Sequence, residues 1–147
     1  KIKESRVAKT ILQQLGGNKF IAMTGAKNLG ATNKSLQLID ARNEERFLGN
    51  KPEPRAGLRP GHIKGSKNLY FQMLVNKDRT FKKKSELISI FKKKEISLYE
   101  TTAFTCGSGI TACVLGLANS LITDKSPIVY DGSWSEYGIK KWELVQK

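Results

Sequence analysis

Cys106 stands between residues 101 to 105, a run of β-branched and aromatic residues, and the turn-forming triplet Gly107-Ser108-Gly109, after which an apolar stretch begins at Ile110. A cysteine at the end of a strand and the start of a helix lies where ligands collect in open α/β sheets, outside the carboxyl ends of the strands. The small residues after it let backbone N–H groups turn toward one centre, and the helix N-terminus adds positive potential. Both effects favour thiolate over thiol. Cys106 therefore reads as a nucleophile, with N–H groups around it able to hold an anion or a terminal persulfide sulfur. Cys113 lies inside the apolar helix beside Val114 and Leu117 and reads as core packing. The single histidine, His62, belongs to a Gly-His-Ile turn that opens a strand and reads as structural. One histidine and two cysteines are too few for a protein-only zinc site of the usual Cys/His kind. They also make no disulfide scaffold, so a reducing compartment is expected.

Positioning Cys106 requires a sheet and helices, and the chain carries patterns for both. Residues 4 to 15 place Val7, Ala8, Ile11, Leu12 and Leu15 at helical spacing, stopped by Gly16-Gly17. Residues 20 to 24 predict a short strand, and residues 25 to 33 are rich in turn formers. Residues 1 to 34 thus read as an N-terminal helix and linker segment with no assigned role, ahead of a domain spanning 35 to 147. Its strands are expected over residues 36 to 40, 67 to 71, 101 to 105 and 127 to 130. One helix is expected after a Ser85 cap, with Leu87, Ile88 and Phe91 on one side and lysines 92 to 94 in its last turn. Another is expected over residues 110 to 121, and a short helical end contains Trp134, Tyr137 and Trp142. Residues 50 to 65 hold Pro52, Pro54 and Pro60, which bars a helix or central strand and predicts a surface loop of functional length. Strands alternating with helices argue for an α/β fold with a small, mainly parallel central sheet.

At 147 residues the chain has the length of one domain. No apolar run approaches the roughly 20 residues of a membrane span, and no membrane partner is expected. Lys1 at the start is compatible with a mature form or an excised domain. The charge, 26 Lys+Arg against 13 Asp+Glu for a net +13, favours anionic substrates or acidic partners. It also supports a competing reading, a basic module that docks nucleic acid or an acidic partner through the lysine triplets at 82 to 84 and 92 to 94. Those triplets lack the interleaved aromatics that stack bases, which makes nucleic acid the weaker choice. Gly25 to Gly30 has the glycine spacing of a phosphate-binding loop, but Ala31 stands where that loop needs its lysine.

Four separated motifs carry a family likeness. They are Leu38-Ile39-Asp40-Ala41-Arg42 with Arg46-Phe47, then Pro52-Glu53-Pro54-Arg55 leading to Gly61-His62-Ile63, then Cys106-Gly107-Ser108-Gly109-Ile110-Thr111-Ala112, and Tyr130-Asp131-Gly132-Ser133-Trp134-Ser135-Glu136. In this order they closely resemble the C-terminal catalytic domain of the 3-mercaptopyruvate sulfurtransferases, within the rhodanese family, over about residues 35 to 140. The resemblance implies a rhodanese-like three-layer α/β sandwich and a loop from Cys106 to Thr111 that cradles the active sulfur. It implies that Cys106 takes sulfur from 3-mercaptopyruvate, releases pyruvate, and passes the sulfur from a persulfide to cyanide or a thiol acceptor such as thioredoxin. Ser108 would assist proton transfer. Arg46 and Arg55 would bind the donor's carboxylate and carbonyl end, which suits a planar guanidinium. Gly107, Gly109, Ile110 and Thr111 would line the donor through the loop, and no cofactor or metal is implied. Neutral Gly107 and Ser108 favour mercaptopyruvate over the thiosulfate dianion, leaving thiosulfate sulfurtransferase as the alternative. Thr111, where the related phosphatases close a longer loop with arginine, argues against phosphatase chemistry. The resemblance further implies a preceding rhodanese domain and a cytoplasmic or mitochondrial location.

Overall fold

The computed structural model describes residues 20–21, 36–139 and 145–146. The helix expected over residues 4 to 15, the turn-rich stretch at 25 to 33 and Trp142 lie outside the described residues. The main sheet consists of β1 (Phe20–Ile21), β2 (Leu36–Asp40), β4 (Lys67–Asn68), β5 (Thr101–Thr105) and β6 (Ile128–Tyr130), in the order β1-β6-β5-β2-β4. Every pairing in it is parallel, with Leu36 to Asp40 in register with Thr101 to Thr105. β5 is therefore the central strand, and its carboxyl end is the middle of the sheet's upper edge. A separate antiparallel pair joins β3 (His62–Ile63) to β7 (Val145–Gln146).

The period of two along each strand sorts the core into two faces. Ile39, Phe104 and Val129 pack on one side with Leu87 and Phe91 of α2 (Lys84–Lys93) and with Leu115 and Ala118 of α3 (Ile110–Ile122). Leu38, Ala103 and Tyr130 face the other side against Ile63 and against Trp134 and Tyr137 of α4 (Ser133–Tyr137). Helices on one face and α4 with irregular chain on the other give a three-layered α/β fold. Each fully buried Leu, Ile or Phe contributes roughly 1.5 to 3 kcal/mol. Residues 50 to 65 cover the second face as an ordered loop. Arg59 donates from Nε to the Gly138 carbonyl at 3.1 Å and from Nη2 to that of Tyr137 at 2.9 Å, and its own carbonyl accepts from Trp134 Nε1 at 2.8 Å.

Two local expectations need correction. The strand expected over 67 to 71 ends at Asn68, because the Asn68 amide donates to the carbonyls of Asp40 (3.1 Å) and Arg42 (2.7 Å) and caps the end of β2. The chain then tightens into a 3-10 turn, Phe71–Leu74, that buries Leu74. The helix expected after a Ser85 cap begins earlier: Lys83 is the capping position, and the Glu86 carboxylate accepts its backbone N–H at 3.0 Å. Ser85 lies exposed in the first turn, outside that arrangement.

His62 is buried, as a structural residue would be. Its ring stacks on Phe47 of α1 (Glu44–Phe47) with centroids 3.6 Å apart, and Nδ1–H donates to the Phe47 carbonyl at 2.7 Å. Burial holds its pKa below the ordinary histidine value.

Candidate active site

Cys106 follows the last residue of β5, and α3 begins at Ile110, so the intervening loop spans the top of the central strand. The chain makes this turn because Gly109 adopts φ +87, in the left-handed region. A Cβ there would stand 2.8 Å from the Asp131 carbonyl oxygen. The turn brings the Gly109 N–H onto Cys106 Sγ at 2.9 Å.

The start of α4 holds the loop from behind. Ser133 Oγ accepts the Cys106 N–H at 3.1 Å and donates to the Tyr130 carbonyl at 2.7 Å. Trp134 and Ser135 donate their backbone N–H groups to the carbonyls of Cys106 (2.9 Å) and Gly107 (2.8 Å). These bonds tie two carbonyls of the loop to α4, while the Gly109 N–H points at the sulfur. Ser133 does this at φ +47, a conformation unusual for a residue with a side chain, and it is fully buried.

Cys106 forms the floor of an open cleft of about 270 Å³ that Gly107, Ser108 and Thr111 also line. Arg46, Glu53, Arg55, Leu58 and Ser135 make its walls. Arg55 donates from Nη1 to Ser135 Oγ at 2.7 Å, and Ser135 Oγ donates to the Gly107 carbonyl at 2.5 Å, which links an exposed guanidinium to the loop. Arg46 reaches Gly107 so closely that an added Cβ would lie 2.9 Å from its Nη2. It is held by Glu53, whose carboxylate accepts from Nε at 3.1 Å and from Nη2 at 2.6 Å. Glu53 in turn accepts from Arg42 Nη1 at 2.9 Å, and Arg42 forks onto Asp40 with Nη2 to Oδ2 at 2.7 Å. Asp40, Arg42 and Glu53 are all about 1% exposed at the side chain, whereas Arg46 is 25% exposed. Burial works against the charge on Arg42, but Asp40 and Glu53 outweigh it and hold its pKa above the ordinary arginine value.

Of the residues singled out in the sequence, Cys106, Gly107, Ser108, Thr111, Arg46 and Arg55 meet at this cleft. Gly109 lies at the end of the loop and reaches the sulfur through its N–H. Ile110 is 53% exposed and does not line the cleft. Cys113 is buried in α3, its thiol donating to the Gly109 carbonyl at 3.3 Å. Glu53, Ser133 and Ser135 were not singled out. Glu53 lies in a proline-rich loop, where nothing local names its partners. The two serines sit in a motif whose visible signal was a turn and aromatic packing.

The family model described as the rhodanese-like domain matches residues 23–140. The 3-mercaptopyruvate sulfurtransferase of Mus musculus is 41% identical over 111 residues, 76% of this chain and 37% of that protein. The thiosulfate sulfurtransferase of Rattus norvegicus is 44% identical over 105 residues, 71% of this chain and 35% of that protein. Among solved structures, the Tum1 protein from Saccharomyces cerevisiae superposes with a TM-score of 0.71 at 24% identity, covering 95% of this chain and 45% of that one. The sub-stoichiometric sulfur transferase subunit of yeast mitochondrial complex I gives 0.65 at 35% identity, covering 78% and 39%. The chain spans roughly a third of the length of the curated relatives it matches.

Proposed function

The chain belongs to the rhodanese family, and from that premise we propose that it is a sulfurtransferase that moves sulfur from 3-mercaptopyruvate through a Cys106 persulfide to a thiol acceptor or cyanide. The observation that carries this reading is the placement of Cys106 Sγ on the cleft floor, receiving the Gly109 N–H at 2.9 Å, with Arg46 and Arg55 on the walls.

In the first half-reaction the Cys106 thiolate attacks the donor sulfur. A new S–S bond forms as the donor's C–S bond breaks, and the bonding pair leaves with carbon as the enolate of pyruvate, which takes a proton to become pyruvate. Arg55 and the outward edge of Arg46 pair with the donor carboxylate. In this reading Ser108, which lines the cleft, passes a proton, and the loop N–H groups hold the terminal sulfur. In the second half-reaction an acceptor thiolate attacks that terminal sulfur and forms its own S–S bond, and the electron pair of the broken bond returns to Cys106. A thiol acceptor of the thioredoxin kind and a preceding rhodanese domain complete this proposal, as does residence in the cytoplasm or mitochondrial matrix, where thiols stay reduced.

Intact mass after mixing with 3-mercaptopyruvate tests it. The parent chain should gain ~32 Da, one sulfur, and release pyruvate, while Cys106→Ala should do neither. Sulfur gained from thiosulfate but not from 3-mercaptopyruvate would reverse the donor assignment. No gain from either donor by folded protein with a free thiol would reject a sulfurtransferase working from this domain alone.

A further inference from the structure

Away from the Cys106 loop, the amino-terminal edge of the sheet holds a second open pocket, of about 280 Å³. Thr101 and Thr102 line it from the start of β5, Ile128 from the start of β6, Asn119 from the last turn of α3, and Lys125 and Ser126 from the turn between α3 and β6. None of these residues lines the active cleft, which opens at the other end of β5, roughly 15 Å along the strand. On α3, Leu115, Ala118 and Ile122 are buried as apolar residues beside Asn119. Asn119 is 4% exposed, yet among the described residues no hydrogen bond reaches its carboxamide, and Thr123 engages only its backbone carbonyl. A carboxamide held out of bulk water without a partner is costly, so whatever enters the pocket completes its hydrogen bonds.

The remaining lining groups narrow what that is. Thr102 Oγ1 is already committed, donating to the Glu100 carbonyl at 3.2 Å and accepting from Gln37 Nε2 at 3.1 Å. Lys125 Nζ donates to the Tyr99 carbonyl, which anchors the ammonium and uses one of its three donors. Thr101 and Ser126 add hydroxyls at the exposed rim. Lys125 is the single charged residue in the described lining, since Glu100 and Asp124, its acidic neighbours along the chain, do not line the pocket. The carboxyl end of α3 adds partial negative potential, which weighs against anions of higher charge. We propose that this pocket is a second binding site, for a small hydroxycarboxylate whose carboxylate pairs with Lys125 and whose hydroxyl meets the Asn119 carboxamide, a group able both to donate and to accept. The proposal is independent of the sulfurtransferase reading.

NMR titration of the chain with lactate tests it and separates the two sites. The side-chain NH2 of Asn119 and the backbone amides of Lys125, Ser126 and Ile128 report the pocket, while those of Gly107 and Ser108 report the active cleft. The pocket signals should shift saturably with lactate. Propionate, which lacks the hydroxyl, and sulfate, which carries a second charge, should each bind there several-fold more weakly. Lys125→Met should weaken lactate at the pocket by about tenfold, as expected for loss of a charge-assisted hydrogen bond. Asn119→Leu, which puts an apolar side chain of similar size in the same place, should weaken it several-fold. No saturable shift at the pocket overturns the proposal, leaving a cavity that holds water only. Propionate binding as well as lactate, or sulfate binding more tightly, overturns it too, because the pocket would then be a lysine attracting anions without reading the hydroxyl. Lactate binding undiminished in Lys125→Met is equally fatal. If Asn119→Leu does not fold, the Asn119 NH2 shift in the parent together with Lys125→Met decides.

Discussion

Cys106 and Cys113 lie on the two sides of one residue: Gly109 gives its N–H to the first sulfur and takes the thiol of the second on its carbonyl. Their environments differ. Cys113 packs among Leu115, Ala112 and the sheet, and burial pushes its pKa from 9.0 up to about 11, with Cys106 and Asp131 adding to the shift. Between those values the folded chain keeps a proton that the unfolded chain has lost. The stability from this group is therefore complete below about pH 9 and is lost as the pH rises toward 11, at a cost of about 2 kcal/mol. Tyr130 and Tyr137, also pushed upward by burial, act in the same direction at the alkaline end, so the comparison must be with a variant. Urea denaturation of the parent and Cys113→Ala at pH 8 and pH 10.5 isolates the cysteine. The variant should start lower, from the cavity, and lose less stability over that interval. Equal losses would exclude Cys113 as the titrating group.

The loop and α4 act as one unit, and two glycines in it test different things. At Gly109 a side chain would meet the Asp131 backbone at 2.8 Å while holding φ +87, so neither steric relief nor backbone relaxation is available. Gly109→Ala should cost on the order of 2 kcal/mol or more in melting and displace the N–H from Cys106, abolishing persulfide formation. At Gly107 the neighbour is the far end of the Arg46 side chain. Gly107→Ala should leave melting within about 0.5 kcal/mol of the parent and raise KM for an anionic donor several-fold, as Arg46 is pushed aside. Equal damage from both would mean that the loop does not distinguish its two walls. This strand–loop–helix unit was legible in the sequence because its signals are local: β-branched residues for β5, small residues for the turn, a long apolar run for α3. Ser133 and Ser135 were not, because their partners Cys106 and Gly107 lie far away along the chain, and a hydroxyl in a turn motif does not reveal which backbone group it grips. The ends of β4 and α2 were missed for a related reason. Asn68 and Glu86 each bond a backbone group at an element end, which overrides the propensity of the residues between.

At the scale of the molecule, the ion ladder Asp40–Arg42–Glu53–Arg46 ties the end of β2 to the proline-rich loop and carries fixed charge from the core to the cleft. The sheet alone could be built without it, since its parallel order follows from the alternation of strands and helices that the sequence displays. The irregular segment over the second face has no periodicity to read, and it is positioned by such tertiary bonds. Arg42 also donates from Nη2 to the Gly61 carbonyl at 2.9 Å and lies 4.6 Å from the Trp134 ring centroid. It therefore joins β2, the loop and α4 at one point. Removing it leaves two carboxylates buried without their shared counter-charge, a loss of about 3 to 5 kcal/mol for a broken buried pair. Arg42→Ala should lower the denaturation midpoint by that amount or prevent folding at 37 °C. Arg42→Lys should recover only part of the loss, because an ammonium cannot fork onto Asp40 and reach Glu53 and Gly61 together. Full recovery in Arg42→Lys would mean that charge alone holds the ladder, and that the planar geometry aiming Arg46 into the cleft comes from elsewhere.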